Sequence, residues 1–375
     1  MPRLPGNRKK LVVAALLLAC VAAAVWWQRT PLLSWYYLRG LAEANEQDRA
    51  RWVERVASLD AAAVPGTIAL LRQPDARVCA NAEAALAELV HRWGAADPRT
   101  AELSAELTNL FAALSAPGQE AALEWHLGVL RQLDADKESG RPVADSAAKL
   151  LLAAAQVSDK GVRLRTLALA EVLLARTPPA QTDLHRRLAL EALTAKDAEL
   201  RARGARLAMH APLQNDEALM ERVVPLLKDG SPEVRRAAVL AVGLAEKIIS
   251  ADDLLPLLHD ADPEVRRLCE KALGGRGLGP AHIRIARKIT DARPGERLEV
   301  VHYLLRMDDL DPGVWLQRLS QDPAPAVRAA AIRLGAEDPG ESAFAERVAQ
   351  MAREDPSETV RQLAAHYLKA MQPRD

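Results

Sequence analysis

The residues able to do chemistry are numerous, but their spacing scatters them. Eight histidines, His91, His126, His185, His210, His259, His282, His302 and His366, form neither an HExxH pattern nor any close pair at metal-ligand spacing. They read as surface or helix-end residues. The run Gly274, Gly275, Gly277, Gly279 resembles a phosphate-binding loop only superficially, because it follows a helical pattern and not a strand; it reads as a turn between helices. There is no GxSxG and no P-loop motif. Cys20, Cys79 and Cys269 make no CxxC pair, and the last two read as small apolar core residues. Carboxylates abound, yet a general acid and base need fixed positions in one cleft, and no catalytic, metal or cofactor site is expected.

One charge anomaly stands out. Lys271, Arg276, Arg284, Arg287 and Lys288 occur with no Asp or Glu between Glu270 and Asp291. They form either a solvated helix face beside the glycine-rich turn or a contact for an anionic partner. Arg201, Arg203 and Arg206 make a smaller basic stripe that reads as structural. Over the whole chain Lys plus Arg equals Asp plus Glu at 50 each, but no acid precedes Glu43, so residues 43–375 carry 44 basic against 50 acidic groups. A mildly acidic body is poorly suited to general phosphate-backbone binding, and nucleic acid is not an expected partner.

The elements that must position these residues are helical. Aromatic residues are only 3% of a 375-residue chain rich in alanine, leucine and arginine, which favours helix-on-helix packing over a large sheet core. The chain is also too long for one compact core, so several domains or a repeat array is required. Asp229, Asp260, Asp291, Asp322 and Asp355 recur at intervals of 31, 31, 31 and 33 residues. Each is followed six positions later by arginine: Arg235, Arg266, Arg297, Arg328 and Arg361. Ser231, Asp262 and Ser357 are placed to cap a new helix, with Pro232 and Pro263 at the first helical position of two of them. Upstream, Pro225 and Pro256 fall inside the preceding helices and should kink them.

These units resemble HEAT repeats, and in particular the shorter bacterial HEAT-like repeats related to those of phycobilin lyases. The resemblance covers about 219–375. The unit near Pro280 departs from it, with Lys288 where leucine is expected. It implies an all-α fold, a right-handed α-solenoid of stacked antiparallel helix pairs, roughly eight to ten repeats filling residues 41–375. It also implies that the five aspartates and their arginines form a structural ladder between neighbouring units. Such a stack presents a long surface for protein partners, and a non-catalytic interaction scaffold is the expected function. The alternative carried by the resemblance is a chromophore-lyase-like or DNA-glycosylase-like protein. Against a glycosylase, Trp52, Trp93, Trp125 and Trp315 lie dispersed over different repeats.

The N-terminus suggests a membrane. A basic tail, residues 1–10, precedes an uninterrupted apolar run from Leu11 to Trp27, just long enough to span a bilayer. Trp26, Trp27, Trp35, Tyr36 and Tyr37 cluster at its end, so 28–40 reads as an aromatic juxtamembrane segment. The expectation is one transmembrane signal anchor with its N-terminus in the cytoplasm and the solenoid outside a bacterial inner membrane. Lipidation at Cys20 and cleavage of an ordinary signal peptide are the alternatives.

Overall fold

Short segments with an apolar residue at every third or fourth position fold as helices that each bury one stripe against their neighbours. Helix Ala76–Trp93 shows how. The Asp75 side chain accepts the free N–H groups of Arg77 and Val78, and Gly94, at φ 100°, ends the helix. Between these caps Val78, Ala82, Ala85, Leu86 and Leu89 turn one face into the core. The computed structural model describes residues 29–134, 138–176, 181–304, 312–337 and 342–371, and among them no strand occurs. Contacts divide the chain into two units between Leu219 and Met220. This is also the point from which the 31-residue repeats become regular.

In the first unit the helices are α1 (Arg29–Glu43), α2 (Glu46–Ala57), α3 (Val64–Leu70), α4 (Ala76–Trp93), α5 (Pro98–Leu110), α6 (Ala116–Gln132), α7 (Arg141–Ala154), α8 (Lys160–Leu174), α9 (Asp183–Leu193) and α10 (Ala198–Ala208). Helices α2, α4, α6, α8 and α10 pack side by side as one layer of second helices. Helices α1, α3, α7 and α9 pair with members of that layer, and α5 packs on α7. Leu86, Leu89, Leu103, Leu107, Phe111, Leu123 and Leu127 are fully buried. Each such side chain contributes about 1.5–3 kcal/mol relative to exposure.

The second unit continues with α11 (Glu217–Val223), α12 (Pro232–Val242), α13 (Ala251–Leu254), α14 (Pro263–Gly275), α15 (Pro280–Ile289), α16 (Pro294–Leu304), α17 (Pro312–Leu319), α18 (Pro325–Glu337), α19 (Ser342–Glu354) and α20 (Glu358–Met371). The prolines at 225 and 256 stop α11 and α13, and the chain proceeds as 3-10 turns, Val224–Lys228 and Leu255–His259. Among the second helices, α12 packs on α14, α16 on α18 and α18 on α20. Ile285, Ile289, Val300, Leu316, Val327 and Phe344 belong to one apolar cluster running from α15 to α20.

The sequence-based membrane assignment is corrected here. Among the described residues no helix is long and apolar enough to cross a membrane, and residues 11–27, on which the anchor was placed, lie outside them, as do the tail 1–10 and Cys20. The transmembrane helix, the membrane as partner and the inner-membrane location are therefore withdrawn. The physical reason for the misreading is partly visible downstream. Residues 29–43 are α1 of the helix stack, where Tyr36 meets the edge of the Trp52 ring at 5.6 Å and Leu41 is fully buried. The aromatic residues counted as an interfacial belt thus include packing partners of the second helices.

Two glycines of α6 give a paired test. A Cβ on Gly118 would stand 1.8 Å from the Leu71 carbonyl oxygen, while one on Gly128 would meet nothing within 4 Å. Ser115 ties the same junction, its backbone N–H donating to the Leu71 carbonyl at 3.3 Å and its hydroxyl accepting the Gly118 N–H at 3.1 Å. Gly118→Ala is expected to destabilise the chain by about 2–4 kcal/mol, since backbone must move. Gly128→Ala should stabilise it by about 0.5–1 kcal/mol through helix propensity. Urea denaturation followed by circular dichroism reads both; equal effects would show that α6 does not approach Leu71 this closely.

Candidate functional site

The repeated aspartates and arginines assemble around the turns of the second unit. Each aspartate side chain accepts the backbone N–H two residues on: Ser231 to Asp229, Asp262 to Asp260, Arg293 to Asp291, Ala324 to Asp322 and Ser357 to Asp355, all at 2.8–2.9 Å. That bond shapes the turn before each second helix. Each arginine then reaches back to the carbonyl of its own aspartate, from Arg235, Arg266, Arg297, Arg328 and Arg361, at 2.6–2.8 Å. Three arginines also grip the aspartate of the following repeat with two parallel bonds: Arg235 on Asp260, Arg297 on Asp322 and Arg328 on Asp355. The last two pairs are almost wholly enclosed, with side chains 3–8% exposed.

Electrostatics follow from this geometry. The Arg235 hydrogen bonds hold the Asp260 carboxyl below the ordinary carboxylate range. Burial works against ionisation of Asp355, yet the Arg328 hydrogen bonds, the Ser357 N–H and nearby positive charge leave its carboxyl below that range as well. One rung differs. Arg266 bonds the carbonyls of Asp260 and Ala261, while Asp291 is taken by Arg293 at 3.0 Å. Instead of an arginine grip, His259 Nε2 stands 2.9 Å from the Arg287 carbonyl and 3.0 Å from Thr290 Oγ1. Expected caps also differ: Asp262 accepts the Glu264 and Val265 N–H groups, whereas Ser231 caps nothing with its side chain.

The acid-free stretch is distributed over several environments. Arg276 turns inward and donates to the carbonyls of Gly243 at 2.7 Å and Ile249 at 2.9 Å. Arg287 pairs with Glu270, and Lys288 with Glu299 at 2.6 Å and Glu296 at 3.1 Å. Lys271 and Arg284 remain exposed. Acids absent from the stretch itself are thus supplied by its flanks.

Of the histidines whose burial is described, His126 and His185 are core residues that sequence reasoning placed at the surface. His126 is fully buried; its Nδ1 lies 2.7 Å from the Ala122 carbonyl and its Nε2 3.1 Å from the Ser104 hydroxyl. A carbonyl only accepts, so Nδ1 carries the proton and the serine donates to Nε2. Burial pushes the His126 pKa down to about 4. His185 is 5% exposed with neither ring nitrogen hydrogen-bonded, and burial lowers its pKa too. Both sit one helical turn from buried leucine or alanine positions, which was the available signal. Among the described residues no group of three or more His, Cys, Asp or Glu could hold a metal ion. Cys79 and Cys269 are buried and free, and burial pushes the Cys269 thiol up to about 12. Trp125 is buried and offers no stacking face for a flipped base, and the Arg99 guanidinium lies over the Trp93 ring at 4.9 Å.

Stacked helix pairs with turn-to-turn ladders define the class: this is an α-solenoid of the HEAT-repeat type. A family model described as HEAT repeats matches residues 186–274, bridging the last helix pair of the first unit and the first two repeats of the second. No curated protein matches the chain significantly in sequence. Solved structures share the fold at low identity. An importin beta crystal structure aligns with a TM-score of 0.54 and 13% identity over 91% of this chain and 54% of that one. Kap95 in a Kap95:Nup1 complex and Kap95p bound to RanGDP each align with a TM-score of 0.50 and 14% identity over 98% of this chain and 54% of theirs. The chain therefore spans about half the length of these relatives in fold.

Removing a ladder arginine should cost stability according to what it strands. Arg328→Ala is expected to cost about 3–5 kcal/mol because it strands a buried carboxylate, and Arg266→Ala, which strands only carbonyls, about 1–2 kcal/mol. Equal losses in urea melts would refute the difference between rungs. Since the folded Asp260 pKa is depressed, its contribution is complete above its unfolded value, about 3.9, and fades as pH falls through the folded value. Asp260→Asn should therefore lose stability at neutral pH and show a flatter acid limb below pH 4.

The histidines act at a different pH. A lowered folded pKa means that the unfolded chain binds the proton first, so stability is lost as pH drops below 6.5. From His126 alone the loss should reach about 2–3 kcal/mol by pH 4.5. His126→Gln should flatten that profile between pH 6.5 and 4.5, and a profile as steep as that of the parent would remove His126 as its cause.

Proposed function

We propose that the chain is a non-catalytic scaffold whose layer of second helices binds a protein partner. The observation that carries this reading is the side-by-side packing of α2, α4, α6, α8 and α10. It sets polar residues of successive repeats on one surface, as where Arg165 of α8 reaches Glu124 of α6 at 2.9 Å. Such a surface suits an extended polypeptide better than a small enclosed substrate. The fold-level likeness to importin beta and to Kap95, solved with Nup1 and with RanGDP, is in keeping with partner binding by helical stacks. In the second unit, Lys271 and Arg284 are the exposed cations of the acid-free stretch that a partner would meet. The 31-residue period favours the shorter bacterial HEAT-like branch as the subfamily.

A photo-crosslinking residue placed at exposed Ala80 of α4, on the second-helix layer, should yield one or a few discrete protein adducts in cells. The same residue at exposed Lys149 of α7, a first helix, should yield none of them. Identical adducts at both positions would refute a partner face on the second helices.

A further inference from the structure

The basic stripe at Arg201, Arg203 and Arg206 does not act as one group. Arg201 donates to the carbonyls of Ala195 at 2.9 Å and Lys196 at 2.7 Å, so it belongs to a turn. Arg203 instead approaches Glu171 of α8, and the charge of Arg206 also acts on that carboxylate. Glu171 is an unusual carboxylate: its side chain is 19% exposed, and Oε1 has no hydrogen-bond partner. Arg203 Nη1 approaches Oε2 only to 3.6 Å, beyond hydrogen-bonding distance. Burial pushes the Glu171 carboxyl up, and the positive charges of Arg203, His210, Arg206 and Arg131 pull against that. One poorly bonded carboxylate is thus shared among four cationic or titratable groups from α6, α10 and the second residue beyond it. Arg131, Arg206 and His210 are exposed.

Three cations elsewhere show what a closer acid partner looks like. Lys160 has Asp197 at 2.8 Å, Arg165 has Glu124 at 2.9 Å and Lys288 has Glu299 at 2.6 Å. Here three arginines act on the one Glu171 carboxylate, and Arg203, Arg206 and His210 lie at i, i+3 and i+7, one stripe along α10 and its end. We propose that Arg131, Arg203, Arg206 and His210 form a recognition patch for an acidic peptide segment of a protein partner. The patch deepens the scaffold reading and rests on it. A peptide suits the patch better than a polyphosphate. Nucleic acid needs positive charge over a long track, but residues 43–375 carry 44 basic against 50 acidic groups. The same helix layer also presents Glu83, Glu120 and Glu124 around a cleft of about 200 Å³. A short run of aspartates or glutamates would engage the guanidinium groups without crossing that acidic region.

The test uses the full chain and a fluorescein-labelled deca-glutamate peptide, read by fluorescence anisotropy at 50 and 300 mM salt. Binding should weaken at the higher salt. The triple variant Arg131→Ala, Arg203→Ala, Arg206→Ala should bind roughly tenfold more weakly at low salt. Arg203→Lys with Arg206→Lys should retain most of the affinity, which separates loss of charge from loss of fold. Glu171→Gln removes the competing internal carboxylate and should tighten binding about two- to fivefold, a sign that a merely structural role for Glu171 would not give. Lys149→Ala serves as an unaffected control. Unchanged affinity in the triple variant, weaker binding in Glu171→Gln, or no peptide binding at all would overturn the patch. Tighter binding of a deca-thymidine oligonucleotide than of the peptide would also overturn it, in favour of nucleic acid. Failure of these arms with the Ala80 adducts still present removes the patch and leaves the scaffold standing; loss of the adducts as well removes both.

Discussion

An arginine laid across a turn is the interaction on which the second unit depends. Helix pairs that stack turn against turn bury backbone carbonyls which the helices themselves cannot satisfy. The guanidinium group has five N–H donors in a rigid fork. In Arg328 one nitrogen serves the carbonyls of Asp322 and Pro323, while two others serve the carboxylate of Asp355 in the next repeat. One side chain therefore closes its own turn and fixes the next at a set separation. Lysine, with a single ammonium group, cannot make both sets of bonds at once. This is why the repeat is visible as an aspartate and an arginine six residues apart.

The first unit meets the same requirement with other donors. Asn81 gives its side-chain N–H groups to the carbonyls of Leu41 at 2.9 Å and Ala44 at 3.1 Å, and Arg77 donates to Ala44 at 2.7 Å. Arg176 bonds the carbonyls of Leu130 and Leu133. What is preserved along the chain is a donor aimed at a buried turn carbonyl, and its identity and offset vary. Sequence periodicity registers only the version with a fixed residue at a fixed offset. The helix pairs after 219 were accordingly legible from five aspartates and five arginines, whereas those before it were readable only as caps such as Asp75, Asp159 and Asp197, each of which does accept N–H groups of the following helix.

The charged residues were harder to place, for a related reason. A sequence window shows which charges are neighbours in the chain, but ion pairs here close between helices. Lys271 to Lys288 looked uncompensated because Glu296 and Glu299 arrive from α16, and Glu270, just outside the stretch on α14, turns to Arg287 of α15. Conversely, Arg203 and Arg206 looked ordinary because Glu171, about one repeat earlier, gave no hint that it is the shared and poorly bonded counter-charge. His126 and His185 were misjudged by composition alone, although both lie on the apolar stripe of their helices. Hydropathy at the N-terminus assigned a role to residues 11–27 from their own apolarity. The described chain begins two residues later, where Tyr36 and Leu41 find protein partners.

The absent rung between Arg266 and Asp291 now has a structural setting. The turn 276–279 follows α14, which ends on Gly274 and Gly275, and α14 does not pack on α16 as α12 packs on α14 or α16 on α18. The same interval is where the apolar cluster of the later repeats begins, at Ile285. In a repeat array, stability is close to a sum of the repeats and their nearest-neighbour interfaces. A junction that lacks both the bidentate ion pair and close second-helix packing is therefore the weakest coupling in this unit among the described residues. His259 crosses this junction to the Arg287 carbonyl and Thr290, and Glu270 of α14 pairs with Arg287 of α15, whereas Arg276 ties α14 back to the carbonyls of Gly243 and Ile249. The departure of this repeat from the common pattern is thus compensated locally, by His259 and the Glu270–Arg287 pair reaching forward to the next repeat.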